Sequence, residues 1–137
     1  MPEESTTPDL VEVIRRVFET FSRGDLEASI GFFAPDAIWE GLDMAIGRAR
    51  IRALWEEYAN SAGELQIHLE EVVDYGHGIL LALTSHTGNP QGSEYEVRAR
   101  DIYVYQCSGG LIDRVTPFQG QIDEARAAAE RLAEKGG

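Results

Sequence analysis

The apolar residues change their period partway along the chain. Up to Gly63 they recur at helical spacing, and beyond it they form β-type runs bounded by turn residues. Leu10, Val13, Ile14, Val17 and Phe21 mark a first helix, which Thr7-Pro8-Asp9 opens with a capping hydroxyl, a proline and an acid. Gly24 stops it, and Asp25 caps a second helix carrying Leu26, Ile30 and Phe33, which Ala34-Pro35-Asp36 ends. A short strand from Ala37 to Gly41 follows. From Gly47, the residues Ile51, Leu54, Trp55, Tyr58 and Ala62 line one face of a third helix.

The second half reads as strands: Leu65 to Tyr75, Ile79 to Thr87, Tyr95 to Cys107 and Leu111 to Phe118. Gly76-His77-Gly78, Asn89-Pro90-Gln91-Gly92 and Ser108-Gly109-Gly110 are the turns between them. An alanine-rich helix from Gln121 to Lys135 ends the chain, with Ile122, Ala125, Ala129 and Leu132 inward. Helices followed by a meander of long strands predict an α+β domain with its helices on one face of the sheet.

The 137 residues suit a single domain, 1–137, with 1–7 expected to be disordered. Acids outnumber bases 24 to 12, and the resulting charge of −12 disfavours nucleic acid and anionic membrane as partners. The acidic start MPEESTTPD lacks the basic and apolar stretches of a signal peptide, and no apolar run is long enough for a membrane helix. A cytoplasmic location is expected. Cys107 is the one cysteine, so no internal disulfide can form, and it reads as a packing residue.

The long third strand of this meander carries the most chemical information. Residues two apart share a sheet face, so Tyr95, Val97, Ala99, Asp101, Tyr103, Tyr105 and Cys107 point one way. That face is apolar apart from one carboxyl and is expected to meet the helices. A carboxyl held there can serve as a general acid or base. The structural alternatives are a β-bulge that turns Asp101 outward, or a pairing with Arg100 or another arginine. The opposite face, with Arg98, Arg100, Ile102 and Val104, offers a surface on which two copies can pair as a homodimer.

Three stretches, taken in order, carry a family resemblance: FSRGDLEASIGFFAPDAIWEG, IGRARIRALWEEY and SGGLIDRVTPF. Together they resemble the nuclear-transport-factor-2-like superfamily, in its SnoaL-like and ketosteroid-isomerase-like branch. The resemblance implies a cone-shaped, curved antiparallel sheet packed on the N-terminal helices, a cystatin-like α+β roll, with a C-terminal helix. It also implies a deep pocket between helices and sheet, a homodimer through the convex sheet face, and chemistry without a cofactor.

Family positions then transfer one by one. The isomerase general base falls on Gly41, its oxyanion-donating tyrosine on Val17, and its supporting tyrosines on Phe33 and Trp55. A catalytic aspartate of SnoaL-like cyclases falls on Pro117. Asp101 matches the isomerases' second carboxyl, given a one-residue gap. Several of the family's known machines are therefore absent, and a steroid isomerase is not expected.

Asp101 remains the candidate catalytic residue, with Trp39, Trp55, Phe18, Tyr58 and Tyr103 as candidate walls of a ligand pocket beside Val17, Gly41 and Pro117. Of the three histidines, His77 lies in a turn, and His68 and His86 sit on neighbouring strands and face each other only if the register allows. Two imidazoles without a third ligand make a poor metal signal, and no metal is expected. Glu40 alternates away from Trp39 and reads as solvated. The expected function is a pocket protein for a small apolar organic ligand, a cofactor-free isomerase, cyclase or dehydratase working by acid–base chemistry. The alternative is a non-catalytic ligand-binding or protein-interaction domain of the same fold.

Overall fold

The computed structural model describes residues 9–41, 44–62, 66–88, 97–118 and 121–136, with no account of the side chains of 59–62, 97–99 and 136. Thr7, Pro8, the turn at 89–92 and Tyr95 lie outside the described residues. Four helices and six strands follow in the order α1 (Leu10–Ser22), α2 (Leu26–Ile30), β1 (Phe33–Trp39), β2 (Ala45–Ile46), α3 (Arg48–Ala62), β3 (Gln66–Gly76), β4 (Ile79–Gly88), β5 (Val97–Ser108), β6 (Leu111–Pro117) and α4 (Ile122–Gly136). The strands form one curved sheet in the order β2-β1-β6-β5-β4-β3. Every pairing is antiparallel except β1 with β6, which is parallel.

Local chemistry accounts for the helix ends. The Asp9 carboxylate caps α1 by accepting from the amides of Val11 at 3.1 Å and Glu12 at 3.4 Å. Asp25 caps α2 through the Ala28 amide at 3.1 Å, after Gly24 has taken the left-handed conformation at φ +80°. Buried hydroxyls then join the two helices. Thr20 Oγ1 lies 2.6 Å from Ser29 Oγ, and Ser29 donates to the Val17 carbonyl.

The second helix is shorter than its sequence pattern predicts. It ends at Ile30, and Phe33 opens β1 instead of closing α2. Phe33 pairs with Ile112 of β6, and Arg48 Nε donates to its carbonyl at 2.8 Å. The register of β1 shifts between Phe33 and Ile38, where Pro35 has no amide to donate to a ladder. Sheet pairing overrides the helical spacing.

Alternation across β4 and β5 divides the interior in two. Leu80, Ala82 and Tyr105 face α1, α2 and α3, in a core with Ile14, Phe33, Ile51 and Trp55. On the reverse face Ile79, Leu81, Ile102 and Val104 pack under Ala125, Ala129 and Ala133 of α4. The helices therefore lie on both faces of the sheet, because β4 is apolar on both sides and needs a second cover.

This arrangement corrects the expected dimer surface. Ile102 and Val104 are 2% and 0% exposed beneath α4 of their own chain, so they offer no free face to a partner. Arg100 is exposed and lies 3.8 Å from Glu70. Among the described residues no helix is long and apolar enough to cross a membrane. Cys107 is half-buried, and burial, reinforced by the charges of Asp113 and Asp74, pushes its thiol up to about 12. It stays protonated and packs as an apolar side chain.

Phe33 is fully buried and meets Trp55 edge-on with ring centroids 5.3 Å apart. Phe33→Ala is expected to lower stability by about 3–5 kcal/mol, measured as a reduced urea midpoint with an unchanged slope.

Candidate functional site

Above this inner core, at the level of Tyr58 and His86, the helices and sheet do not close, and a cavity of about 500 Å³ remains. Rings in mutual contact form its wall. Trp39 meets Trp55 at 6.2 Å between centroids and Tyr103 at 5.8 Å, and Phe18 meets Tyr103 at 6.2 Å. Phe21 reaches Trp55 edge-on at 5.7 Å. Each such contact adds about 0.5–1.5 kcal/mol to burial alone, so the rings hold each other in place around the space.

The structure brings all the candidate site residues to this one cavity. Asp101, Trp39, Trp55 and Phe18 line it, as do Tyr58 and Tyr103. Val17, Gly41 and Pro117, the positions where family functional groups are missing, line it too. Among the described residues of the lining, no lysine or arginine occurs, and Asp101 and Glu57 are its carboxyls.

The ladder between β4 and β5 places Asp101 without irregularity. Thr84 stands opposite Asp101, and His86 opposite Ala99, in a register with no shift from Ile79 to Gly88. No bulge turns the carboxyl outward, and Arg100 is on the other face.

Asp101 is not the solitary acid that alternation alone suggests. His86 Nε2 lies 3.1 Å from its Oδ2, with the imidazole side chain 9% exposed and the carboxyl 30%. Tyr103 bonds to the same carboxyl. On the other side of the ring, His86 Nδ1 is 2.9 Å from the Tyr58 hydroxyl. Thr84 Oγ1 donates to the Asp101 carbonyl at 2.9 Å and lies 3.5 Å from His86 Nε2.

Electrostatics set the protonation of these groups. Burial lowers the His86 pKa, with the Asp101 charge acting in the opposite sense, so the imidazole is neutral at neutral pH. Burial and then the Asp101 charge raise Tyr58, and the same two effects raise Tyr103 further. Both phenols therefore remain donors. With Asp101 charged it can only accept, so Nε2–H donates to it and Nδ1 accepts from Tyr58 O–H.

Two histidine and one glutamate expectation resolve differently. His68 stands opposite Ser85, one step out of register with His86, so the two imidazoles lie on opposite faces. His86 lines the cavity, and His77 is exposed in its turn at φ 56°. Glu40 is not simply solvated: it accepts from Arg114 Nη1 at 2.5 Å and Thr116 Oγ1 at 2.6 Å, tying the end of β1 to β6. That clamp holds neighbouring Trp39 and Gly41 at the cavity edge.

The matched family is described as the SnoaL-like domain, over residues 14–115. The chain belongs to this family. Solved structures of SnoaL-like and related proteins superpose on it over most of its length. An NTF2-like protein of unknown function from Burkholderia pseudomallei K96243 is 16% identical, with a TM-score of 0.74 over 88% of this chain and 97% of that one. TerC, co-crystallised with polyporic acid, is 13% identical, with a TM-score of 0.71 over 85% and 95%. A provisionally assigned polyketide cyclase from Pseudomonas putida KT2440 is 17% identical, with a TM-score of 0.69 over 88% and 98%. No curated protein matches the chain significantly. At these identities the likeness establishes the fold alone.

The lowered His86 pKa has a consequence for stability. Above the ordinary imidazole value of 6.5 neither folded nor unfolded His86 is charged, and it contributes nothing to the pH dependence. As pH falls below that value the unfolded chain takes up the proton first, and the folded state loses stability until His86 itself protonates. His86→Gln is expected to flatten this acid-side loss, read as the thermal midpoint against pH in wild type and variant.

Proposed function

We propose that this SnoaL-like protein binds a small, uncharged, largely apolar organic molecule and carries out cofactor-free acid–base chemistry on it. The reaction classes that fit are isomerisation, aldol-type cyclisation and dehydration, each of which needs a proton removed beside a carbonyl and returned elsewhere. One observation carries the reading: a hydrogen-bonded carboxyl, imidazole and phenol stand together on the wall of an aromatic cavity. Asp101 supplies the negative charge on which proton transfer depends, and Trp39 and Trp55 position the ligand between their rings.

Electrostatics narrow the ligand. A cavity with carboxyls and no described cation in its lining repels carboxylates and phosphates, whereas a neutral ketone or phenol with an apolar ring system carries no charge to be repelled. Its volume of about 500 Å³ suits a molecule of a few fused or linked rings. The structure of TerC with polyporic acid supports an organic ligand in this fold.

A second reading is a binding domain without turnover. It is favoured by Val17, Gly41 and Pro117, which line the cavity but lack the functional groups of better-equipped relatives.

β-Tetralone, an enolisable bicyclic ketone, separates the two. Both tryptophans of the chain line the cavity, so ligand entry is expected to change the intrinsic fluorescence. The wild-type protein is expected to speed exchange of the ketone's α-protons in deuterium oxide, read by proton NMR. Asp101→Asn is expected to reduce the protein-dependent rate by about 100-fold or more while binding persists. Binding without exchange, for this and other enolisable ketones, selects the second reading; exchange unchanged in Asp101→Asn removes Asp101 from the chemistry.

A further inference from the structure

We propose that Tyr58, His86 and Asp101 form a proton relay in which the Tyr58 hydroxyl meets the ligand and His86 stores the proton, paired to Asp101. This relay rests on the acid–base reading of the cavity and assigns its atoms.

Three separate elements deliver the members, Tyr58 from α3, His86 from β4 and Asp101 from β5. Each imidazole nitrogen has an oxygen partner of its own, at 2.9 Å on the Nδ1 side and 3.1 Å on the Nε2 side. The two partners differ in kind. A phenol can donate, whereas a carboxylate can only accept, so the hydrogen bonds run in one direction from Tyr58 through His86 to Asp101. Thr84 reinforces that direction, because its hydroxyl proton is committed to the Asp101 carbonyl and it turns a lone pair towards Nε2.

The direction determines which group can take a proton from the ligand. Nε2 already carries hydrogen, and the Asp101 oxygen facing it accepts that hydrogen. Nδ1 is the basic atom, but His86 is only 7% exposed and Tyr58 stands against that nitrogen. A ligand proton therefore reaches His86 through the Tyr58 oxygen. As the ligand C–H bond breaks, its proton bonds to the Tyr58 oxygen, and the original Tyr58 hydrogen passes to Nδ1. The electron pair of the C–H bond stays on the ligand as an enolate. His86 becomes an imidazolium facing the Asp101 carboxylate, which is charged throughout, so the step creates one positive charge on His86 and one negative charge on the enolate. Reversal of the transfer at another ligand carbon completes an isomerisation, and no oxidant, reductant or cofactor is consumed.

In this scheme Tyr58 is the catalytic residue, His86 the proton store and Asp101 the positioning residue that supports the imidazolium. The titratable groups facing His86 are Tyr58 from α3 and Asp101 from β5, with Tyr103 behind Asp101 and Glu57 on the cavity wall. The exchange rate is expected to rise with pH through the His86 titration, because a protonated His86 cannot accept.

The test uses the full chain, with β-tetralone as probe. Tyr58→Phe removes one oxygen and keeps the ring, and it is expected to cut α-proton exchange by about 100-fold or more, with ligand binding retained by fluorescence. His86→Gln is expected to lose the same factor. Nitrogen-15 NMR follows the His86 titration, identified among the three histidines by its loss in His86→Gln. The wild-type rate profile is expected to share the midpoint of that titration. Asp101→Asn is expected to move the titration to lower pH and the rate profile with it, a joint movement that a purely structural aspartate does not require. Exchange that survives Tyr58→Phe within a few-fold, or a rate profile that ignores His86, overturns the relay and leaves the acid–base reading standing. Ligand bound without exchange by the wild-type protein overturns both.

Discussion

The ladder joining β4 to β5 is the constraint on which the cavity depends. Its pairing runs without a shift from Ile79 opposite Gln106 to Gly88 opposite Val97. Because side chains alternate across a strand, one unbroken register decides every inward residue at once. Leu80, Ala82, Thr84 and His86 on β4 then share a face with Asp101, Tyr103 and Tyr105 on β5. A slip of one residue would send the carboxyl under α4 and bring Ile102 into the cavity. Ile102 and Val104 are buried under the alanines of α4, so such a slip would also remove apolar side chains from the reverse-face core.

On that register a division of labour follows. Low in the inner layer, Ile14, Phe33, Ile51 and Ile112 are completely buried and supply cohesion. Higher up, the same layer is built from larger rings that meet one another tilted or edge-on and leave space between them. The polar groups gather where this space meets the far ends of β4 and β5. Their low exposure makes each hydrogen bond matter, since a buried donor or acceptor without a partner is costly. Among the described residues, no buried side-chain nitrogen or oxygen lacks a partner.

Membership of the SnoaL-like family does not fix the side chains that line this cavity. The shape is the family's, and Val17, Gly41 and Pro117 occupy its walls with hydrocarbon or nothing. The hydrogen-bonded chain of polar groups on its wall comes from Tyr58, His86 and Asp101. A fold of this kind supplies a sheltered concavity, and substitution along its strands changes what that concavity can do.

Much of this was legible in the linear chain. The helical and alternating periods located most elements, Asp25 is the cap its position announces, and alternation placed Asp101 on the inner face. The first helix is capped by Asp9 and not by the Thr7 hydroxyl that the pattern suggests. Phe33 was misread because i+3 spacing from Ile30 looks helical until β6 supplies a partner for its backbone. His86 was underread because Ile79, Leu80, Leu81, Ala82 and Leu83 are apolar on both faces and hide the alternation that points it inward. Spacing and composition are local properties, and they suffice for the period of most elements and the faces of the strands. The meeting of Tyr58, His86 and Asp101 is a relation among a helix and two strands, up to 43 positions apart from Tyr58 to Asp101. Strand register and helix docking create it, through packing energies spread over the whole domain and written at no single position.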